Sequence, residues 1–256
     1  MITPCSSYAF TMISQPIQLY LTTEHECSYL PGRMTTNIVP DPKLPMDTSI
    51  YSHLLKLGYR RSGDHVYRPH CRDCQECRPC RIPVAQFSAR RNQQRCLKNN
   101  QDLSVHMVEA HYSDEYFQLY RDYLNSRHID GGMANPVRDD YERFLYCDWS
   151  NSYFLEVRKD GRLLAVTVTD VTPAGLSAVY TFFDPDPAEA WRGLGNFCIL
   201  QQIQQARRLQ LEYLYMGYWI RDCRKMNYKT NFQPMELLID DVWQAFRAES
   251  VYNARS

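Results

Sequence analysis

The sequence predicts an α+β fold in two unequal parts. A smaller cysteine-rich N-terminal region takes residues 1–101, and a larger C-terminal domain, a mixed sheet with flanking helices, takes residues 102–256. Three observations carry this. The apolar runs Tyr153–Val157, Leu163–Thr169 and Leu176–Phe183 are joined by the turn sequences LysAspGlyArg and ThrProAlaGly, the pattern of an antiparallel meander. The third run passes through AspProAspPro and a glycine loop at 192–196 into a long helix over 196–209, then a strand at Tyr213–Gly217. Cys71, Cys74, Cys77 and Cys80 recur at every third residue among Pro69, Pro79 and Pro83, in a segment with neither helical nor strand periodicity.

Taken in order, residues 1–16 carry no periodicity, and Ile17–Leu21 is a short apolar run that suits a strand. Cys27 opens a turn with Pro31 and Gly32, and 37–45 reads as a proline-rich connector. Asp47 and Gly58 bracket a helix whose apolar positions are Ile50, Leu54, Leu55 and Leu57. Ser88 is the expected cap of a helix over 89–101, on which Arg91, Arg95 and Lys98 share one face. Leu103–Val108 alternates like a strand. Ser113 then opens a helix with Tyr116, Phe117, Tyr120 and Leu124 inward, and Pro136 precedes another over 138–147. Beyond the 213–217 strand come a helical 224–232 segment and a closing strand at Glu236–Ile239.

The chain has 256 residues and balances 29 basic against 29 acidic side chains, so no global excess announces a nucleic-acid partner. The balance is uneven locally: from Tyr51 to Asn100 there are eleven basic residues against three acids. Such density attracts polyanions even on a neutral molecule, and it makes Arg90, Arg91, Arg95 and Lys98 the candidates for holding one. Ten cysteines, concentrated in one stretch of a long chain, do not resemble a secreted disulfide framework. Without an apolar run long enough for a membrane or an N-terminal leader pattern, the expectation is a soluble, reducing, cytoplasmic setting.

Thiols at Cys-x-x-Cys spacing come close enough to share a soft or borderline metal, so zinc or an iron–sulfur cluster is the expected occupant. The candidate ligands are Cys71, Cys74, Cys77 and Cys80, or three of these with Cys27, which leaves Cys80 spare. The ferredoxin spacing fails at the fourth cysteine, which arrives one residue early and lacks its following proline.

The order strand, glycine loop, helix, strand is that of the Gcn5-related acetyltransferase fold. Backbone amides of the loop and the helix N-terminus there receive an anionic cofactor, and Arg192, Gly193 and Gly195 occupy the equivalent place. The loop is too short for the acetyl-coenzyme A signature. Another acyl donor that carries phosphates is an aminoacyl-tRNA, an activated ester at the end of a polyanion.

The whole sequence closely resembles the arginyl-tRNA and leucyl-tRNA protein transferase (R-transferase) family, in its short bacterial, leucine-transferring branch. The motifs are CSYLPGR (27–33), GYRRSGDHVYRPHC (58–71), RHIDGGM (127–133), YTFFDP (180–185), GLGNFCIL (193–200), YLYMGYWI (213–220) and MNYKTNFQPME (226–236). Cys80 departs from the pattern, since an apolar residue is expected before ArgIlePro. The resemblance implies transfer of leucine from leucyl-tRNA to the α-amine of proteins beginning with Asp or Glu, which feeds the N-end rule degradation route. Three other readings remain open: arginine as donor, an acetyl-coenzyme A dependent amine acetyltransferase, and a non-catalytic metal-stabilised nucleic-acid-binding protein.

For such a transfer the candidates follow from charge and shape. Asp184 or Asp130 would stand near the amine as proton acceptor. The acceptor's acidic side chain needs a cation, for which Arg33, Arg60, Arg61 and Lys229 are available. Tyr180, Tyr218 and Tyr228 could stack on the terminal adenine or line the leucine pocket.

Overall fold

Strand-forming runs from both ends of the chain meet in one sheet. The computed structural model describes residues 16–127 and 135–247; Asp130, like His128, lies outside them. A four-stranded sheet in the order β1 (Leu19–Leu21), β4 (Asn37–Pro40), β6 (His65–Pro69), β5 (Arg60–Ser62) forms the N-terminal face, with a small ladder of β2 (His25–Glu26) and β3 (Met34–Thr35) beside it. The segment read as a connector at 37–45 thus begins as a strand, because Ile38 and Val39 pair with Leu21 and Tyr20. Helix α1 (Thr48–Lys56) starts where Asp47 Oδ1 accepts from the Ile50 N–H at 2.8 Å. It stops at Gly58, whose φ of +84° and contact with Leu238 and Pro79 leave no room for a Cβ.

The second sheet has eight strands. Its order is β14 (Val242–Ala245), β13 (Glu236–Ile239), β7 (Arg78–Pro83), β12 (Tyr213–Trp219), β11 (Gly175–Phe183), β10 (Arg162–Thr172), β9 (Ser152–Lys159), β8 (Ser104–Glu109). The predicted three-strand meander is present as β9 to β11, and β8 adds an antiparallel strand at its edge. What periodicity did not suggest is β7, which carries the last cysteine of the run into the middle of the sheet, between β12 and β13. Two prolines argue against a strand at that point. Burial decides the matter: Cys80 and Ile82 enter one cluster with Leu200, Ile203 and Leu214. The sheet therefore draws on both sides of residue 101.

Helices α2 (Arg91–Asn99) and α5 (Leu194–Arg208) pack together on one face, over the cluster that holds Ile82, Phe87, Ile199 and Ile203. Helices α3 (Asp114–Arg127) and α4 (Arg138–Leu145) cover a second cluster rich in aromatic rings, including Tyr116, Tyr120, Tyr141, Phe154 and Phe182. Helix α2 begins at Arg91, so Ser88 is not its cap. The Gln93 side chain instead accepts from the Arg90 N–H at 2.9 Å.

Strands β11 and β12 run parallel but pair only at Leu176 with Leu214 and Ser177 with Tyr215. Past that point β12 bulges between Tyr215 and Tyr218, and no further pairs join the two strands. The sheet is split there, and the short helix α6 (Arg224–Asn227) with the tight turn Tyr228–Asn231 comes back alongside β12.

Candidate active site

The glycine turn before α5 is built as a helix entry. Gly193 sits at φ +61°, the left-handed conformation that glycine adopts freely, and leaves the first N–H groups of α5 without helical partners. Arg192, expected to face an anion, does not. It is 2% exposed and forks onto Asp102 at 2.8 Å through both terminal nitrogens, with Nε on Glu189 at 2.5 Å. Its role is to fasten the turn. Gly195 lies against the Phe183 ring, with a built Cβ only 3.3 Å from it.

Helix α2 grips the same turn: Asn100 Nδ2 donates to the Arg192 carbonyl at 2.8 Å, and Cys96 Sγ reaches it at 3.5 Å. On the outward side Arg90, Arg91, Arg95 and Lys98 are exposed, and none forms an ion pair with the described residues. Four free cations therefore stand on the far side of the helix that holds the glycine turn. The surrounding charge is less than the sequence count suggests. Arg61 and Arg81 are buried in ion pairs, and Arg68 reaches Asp241 at 3.0 Å.

The split between β11 and β12 holds two more cations. Arg60, half-buried at the start of β5, donates to the Val179 carbonyl at 3.2 Å, on the β11 edge that β12 no longer pairs. Its guanidinium lies over Gly217 and 6.0 Å from the Tyr218 ring centroid. Gly217, at φ +71°, would put a Cβ 3.0 Å from Arg60 Nη1. Lys229, 4% exposed, donates to the Tyr218 carbonyl and lies 3.5 Å from Met226 Sδ. Pro79, opposite Tyr218, has no N–H to offer that strand. Burial pulls the Lys229 ammonium down from 10.5 to about 8, and the Arg60 charge pushes the same way. Neither cation has a carboxylate partner among the described residues.

Aromatic rings line the way from this split toward the glycine turn. Tyr228, one of the exposed large side chains, feels Cys80, Tyr123 and Arg60 electrostatically. Tyr180 packs edge-on against Tyr123 at 6.4 Å and Phe144 at 4.9 Å, and Tyr123 meets Phe183 at 4.9 Å. Arg60, Lys229, Tyr180 and Tyr228, from three separate stretches of sequence, thus border one region. Tyr123 and Gly217 belong to it and were not singled out. A tyrosine on an aromatic helix face looks like core, and a strand glycine carries no side chain to notice.

Other candidates serve the fold. Arg61 is fully buried with Asp170, bonded at 2.7 and 2.6 Å, and also donates to Gly63 O, Leu145 O and Ser152 Oγ, so no donor is left for a substrate. Tyr218 is 1% exposed and its hydroxyl bonds the Gly58 and Tyr67 carbonyls, which rules out base stacking. Asp184, at the end of β11, pairs with Arg162 and accepts from the Asp186 N–H at 2.9 Å, the geometry of a turn cap. Exposed Arg33 donates to Cys74 Sγ at 3.2 Å.

That contact belongs to a thiol corner. Cys27, Cys74 and Cys77 pack with buried Cys223, Leu30 and Tyr218, while Cys71 touches Thr35 Oγ1 at 3.3 Å. Burial, reinforced by Cys27, Cys71, Cys74 and Cys223, pushes the Cys77 thiol up to about 12. Cys80 does not join them: it faces the α5 core and contacts the Gly217 carbonyl at 3.4 Å. Cys223, far away in sequence, does. All nine described cysteines are free thiols. The donors have the right chemistry for zinc or an iron–sulfur cluster, but among the described residues no three His, Cys, Asp or Glu side chains are arranged to hold a metal ion. No chemical step is routed through such a group.

A basic helix is thus seated on the glycine turn, and the split in the sheet holds two cations without a carboxylate partner among the described residues. Family models give the class a name: "Arginine-tRNA-protein transferase, N terminus" matches residues 25–95, and "Arginine-tRNA-protein transferase, C terminus" matches residues 115–239. The aspartate/glutamate leucyltransferase of Pseudomonas fluorescens (strain SBW25) is 53% identical over 89% of this chain and 96% of its own length. The protein of the same name from Pseudomonas aeruginosa (strain LESB58) is 51% identical over 90% and 97%. The chain belongs to the arginine-tRNA-protein transferase family. Among solved structures, L-PGS from Bacillus licheniformis aligns with a TM-score of 0.42 and 11% identity over 66% of this chain and 50% of that one.

Proposed function

We propose that this chain is an aminoacyltransferase that moves leucine from leucyl-tRNA to the α-amine of proteins beginning with Asp or Glu, and so commits them to N-end rule degradation. The observation that carries this is end-to-end similarity to aspartate/glutamate leucyltransferases at about half identity. The parallel β11–β12 split with α5 between them supports a Gcn5-related acetyltransferase-like C-terminal domain, preceded by an N-terminal region up to about residue 101. No described helix is long and apolar enough to cross a membrane; a cytoplasmic setting, where charged tRNA is found, goes with the reading.

The reaction asks little of side-chain nucleophiles. The tRNA ester is already activated, and an α-amine with a pKa of about 7.7 to 8.0 is partly neutral near physiological pH. Exposed Arg90, Arg91, Arg95 and Lys98 would hold the tRNA, with its acceptor end running past the glycine turn to the Tyr180 and Tyr228 rings. Alignment of ester and amine, with donors aimed at the tetrahedral oxyanion, supplies most of the rate. Water or a carboxylate takes the proton. Asp130 keeps its place among the candidates for that step. The thiols of Cys27, Cys71, Cys74 and Cys77, with Cys223 packed against them, are the donor set proposed for structural zinc or an iron–sulfur cluster.

The test is incubation of the protein with an Asp-initiated peptide and, separately, labelled leucyl-tRNA, arginyl-tRNA or acetyl-coenzyme A. Label from leucyl-tRNA alone is expected. Label from arginyl-tRNA changes the donor, label from the coenzyme alone overturns the reading, and label from none of them favours a nucleic-acid-binding role.

A further inference from the structure

We infer that Arg60 and Lys229 together form a carboxylate site in the split of the sheet, and that it takes the side-chain carboxylate of the acceptor's first residue. The inference rests on the acceptor chemistry proposed above and assigns residues to it.

Buried arginines and lysines normally come with an acid. In this protein Arg61 has Asp170, Arg81 has Glu236 and Arg192 has Asp102 and Glu189. Among the described residues Arg60 and Lys229 break that habit, Arg60 over Gly217 and Lys229 on the Tyr218 carbonyl. Arg60 spends a bond on Val179 O and Lys229 one on Tyr218 O, and donors remain on both. Uncompensated charge is costly away from water, so two such charges side by side mark a place kept for an anion from outside. Gly217 has the local form this requires: its missing Cβ lets the guanidinium lie flat across β12.

The lining selects among anions. Gly58, Pro79, Cys80, Ala178 and Val179 close a narrow, mostly apolar cavity around Arg60. That cavity, about 10 Å³, has room for no more than a water, so the anion would sit on the accessible side of the half-buried guanidinium, whose fork matches a carboxylate in two-point contact. A tRNA phosphate needs an open groove, which the exposed cations of α2 offer instead. Arg60 is half-buried, Lys229 almost fully so, and exposed Tyr228 precedes Lys229 in the chain, so an extended N-terminus could present its side chain to the two cations with its amine at the Tyr228 rim. Neutral Asn or Gln would leave both charges unanswered, which excludes them.

Two measurements test this. First, the wild-type protein is melted with the dipeptides Asp-Ala and Asn-Ala; stabilisation by Asp-Ala only is expected, and equal stabilisation overturns the site. Second, Arg60→Gln and Lys229→Met are assayed for transfer from leucyl-tRNA to Asp- and Asn-initiated peptides. The Asp-to-Asn ratio of kcat/KM should fall about 100-fold, the effect of losing one partner of a buried charge pair, with the KM for leucyl-tRNA unchanged. A raised KM for the tRNA with the ratio intact would give these cations to the donor, and no change in either would leave them structural; both results refute the assignment. Should a variant fail to fold, the dipeptide comparison on the wild type decides. Should the wild type transfer nothing from leucyl-tRNA, the proposed function fails while selective Asp-Ala binding still establishes the carboxylate site.

Discussion

Replacing Lys229 with Met keeps an unbranched chain of similar length in the same pocket and removes only the ammonium, so it isolates the free-energy cost of a buried charge without a counter-ion. Burial lowers the group from 10.5 to about 8. At roughly 1.36 kcal/mol per pH unit, folding with the charged group costs about 3 kcal/mol at low and neutral pH. The sign follows from proton counts. Below pH 8 both states are protonated and the whole penalty is present. Between 8 and 10.5 the unfolded chain holds a proton that the folded one has shed, so stability rises with pH, and above 10.5 the penalty is gone. Against this, Met leaves the Tyr218 carbonyl without its donor, a loss of about 1 to 3 kcal/mol that does not vary with pH. The two nearly cancel at pH 7, so a single melting temperature says little. The pH dependence is the clean readout: wild type should gain about 1.3 kcal/mol on the variant between pH 7 and 9. Of the other groups around the ammonium, Arg60 stays charged, and Cys80 and Cys77, pushed up by burial to about 11 and about 12, stay as thiols over that window, while Cys223 is common to both proteins. Urea unfolding under reducing conditions at several pH values measures the difference. Parallel stability curves would refute a charge-costly Lys229, and with it the argument that the site waits for an anion.

Three further outcomes are expected. Arg61→Met strands Asp170 inside the protein and should cost roughly 3 to 5 kcal/mol in urea unfolding, with the KM for acceptor peptide unchanged; a loss below about 1 kcal/mol would deny the pair its structural role. Arg91→Ala with Arg95→Ala removes two exposed cations, so the slope of log affinity for leucyl-tRNA against log salt should shrink by about 1 to 2, and an unchanged slope takes these residues off the tRNA path. Cys71→Ala with Cys74→Ala should lower bound zinc or iron and thermal stability together in anaerobically purified protein; full occupancy in the double variant would move the metal elsewhere.

Most of the C-terminal architecture was legible in the sequence, because its elements follow local rules. The meander of β9 to β11 announces itself by alternation and turn residues, and Ser113 accepts from the Tyr116 N–H where its helix was expected to start. The N-terminal region was less legible, and β7 shows why. Its Pro79 and Pro83 signal a loop by every local criterion, yet the strand forms because Ile82 and Cys80 find apolar partners on α5, more than a hundred residues away. The same burial takes Cys80 out of the thiol corner. Cys223 enters that corner through a fold contact that no spacing rule encodes.

The arginines give the sharper lesson for the site. A sequence presents Arg60 and Arg61 as equivalent neighbours in GYRRSG, and both were natural candidates for an acidic substrate. Successive residues of a strand point to opposite faces, so one of them had to turn inward. Arg61 meets Asp170 from β10 and becomes a fastener, while Arg60 turns to the open edge of β11 and meets a carbonyl, a glycine and a second cation. What separates a structural cation from a substrate-binding one is thus the presence of an acid within reach, a property of the assembled sheet. That is why Lys229, in a turn after α6, acquires meaning only beside Arg60. It is also why recognition of the acceptor should be sensitive to Gly217, which supplies no functional group at all.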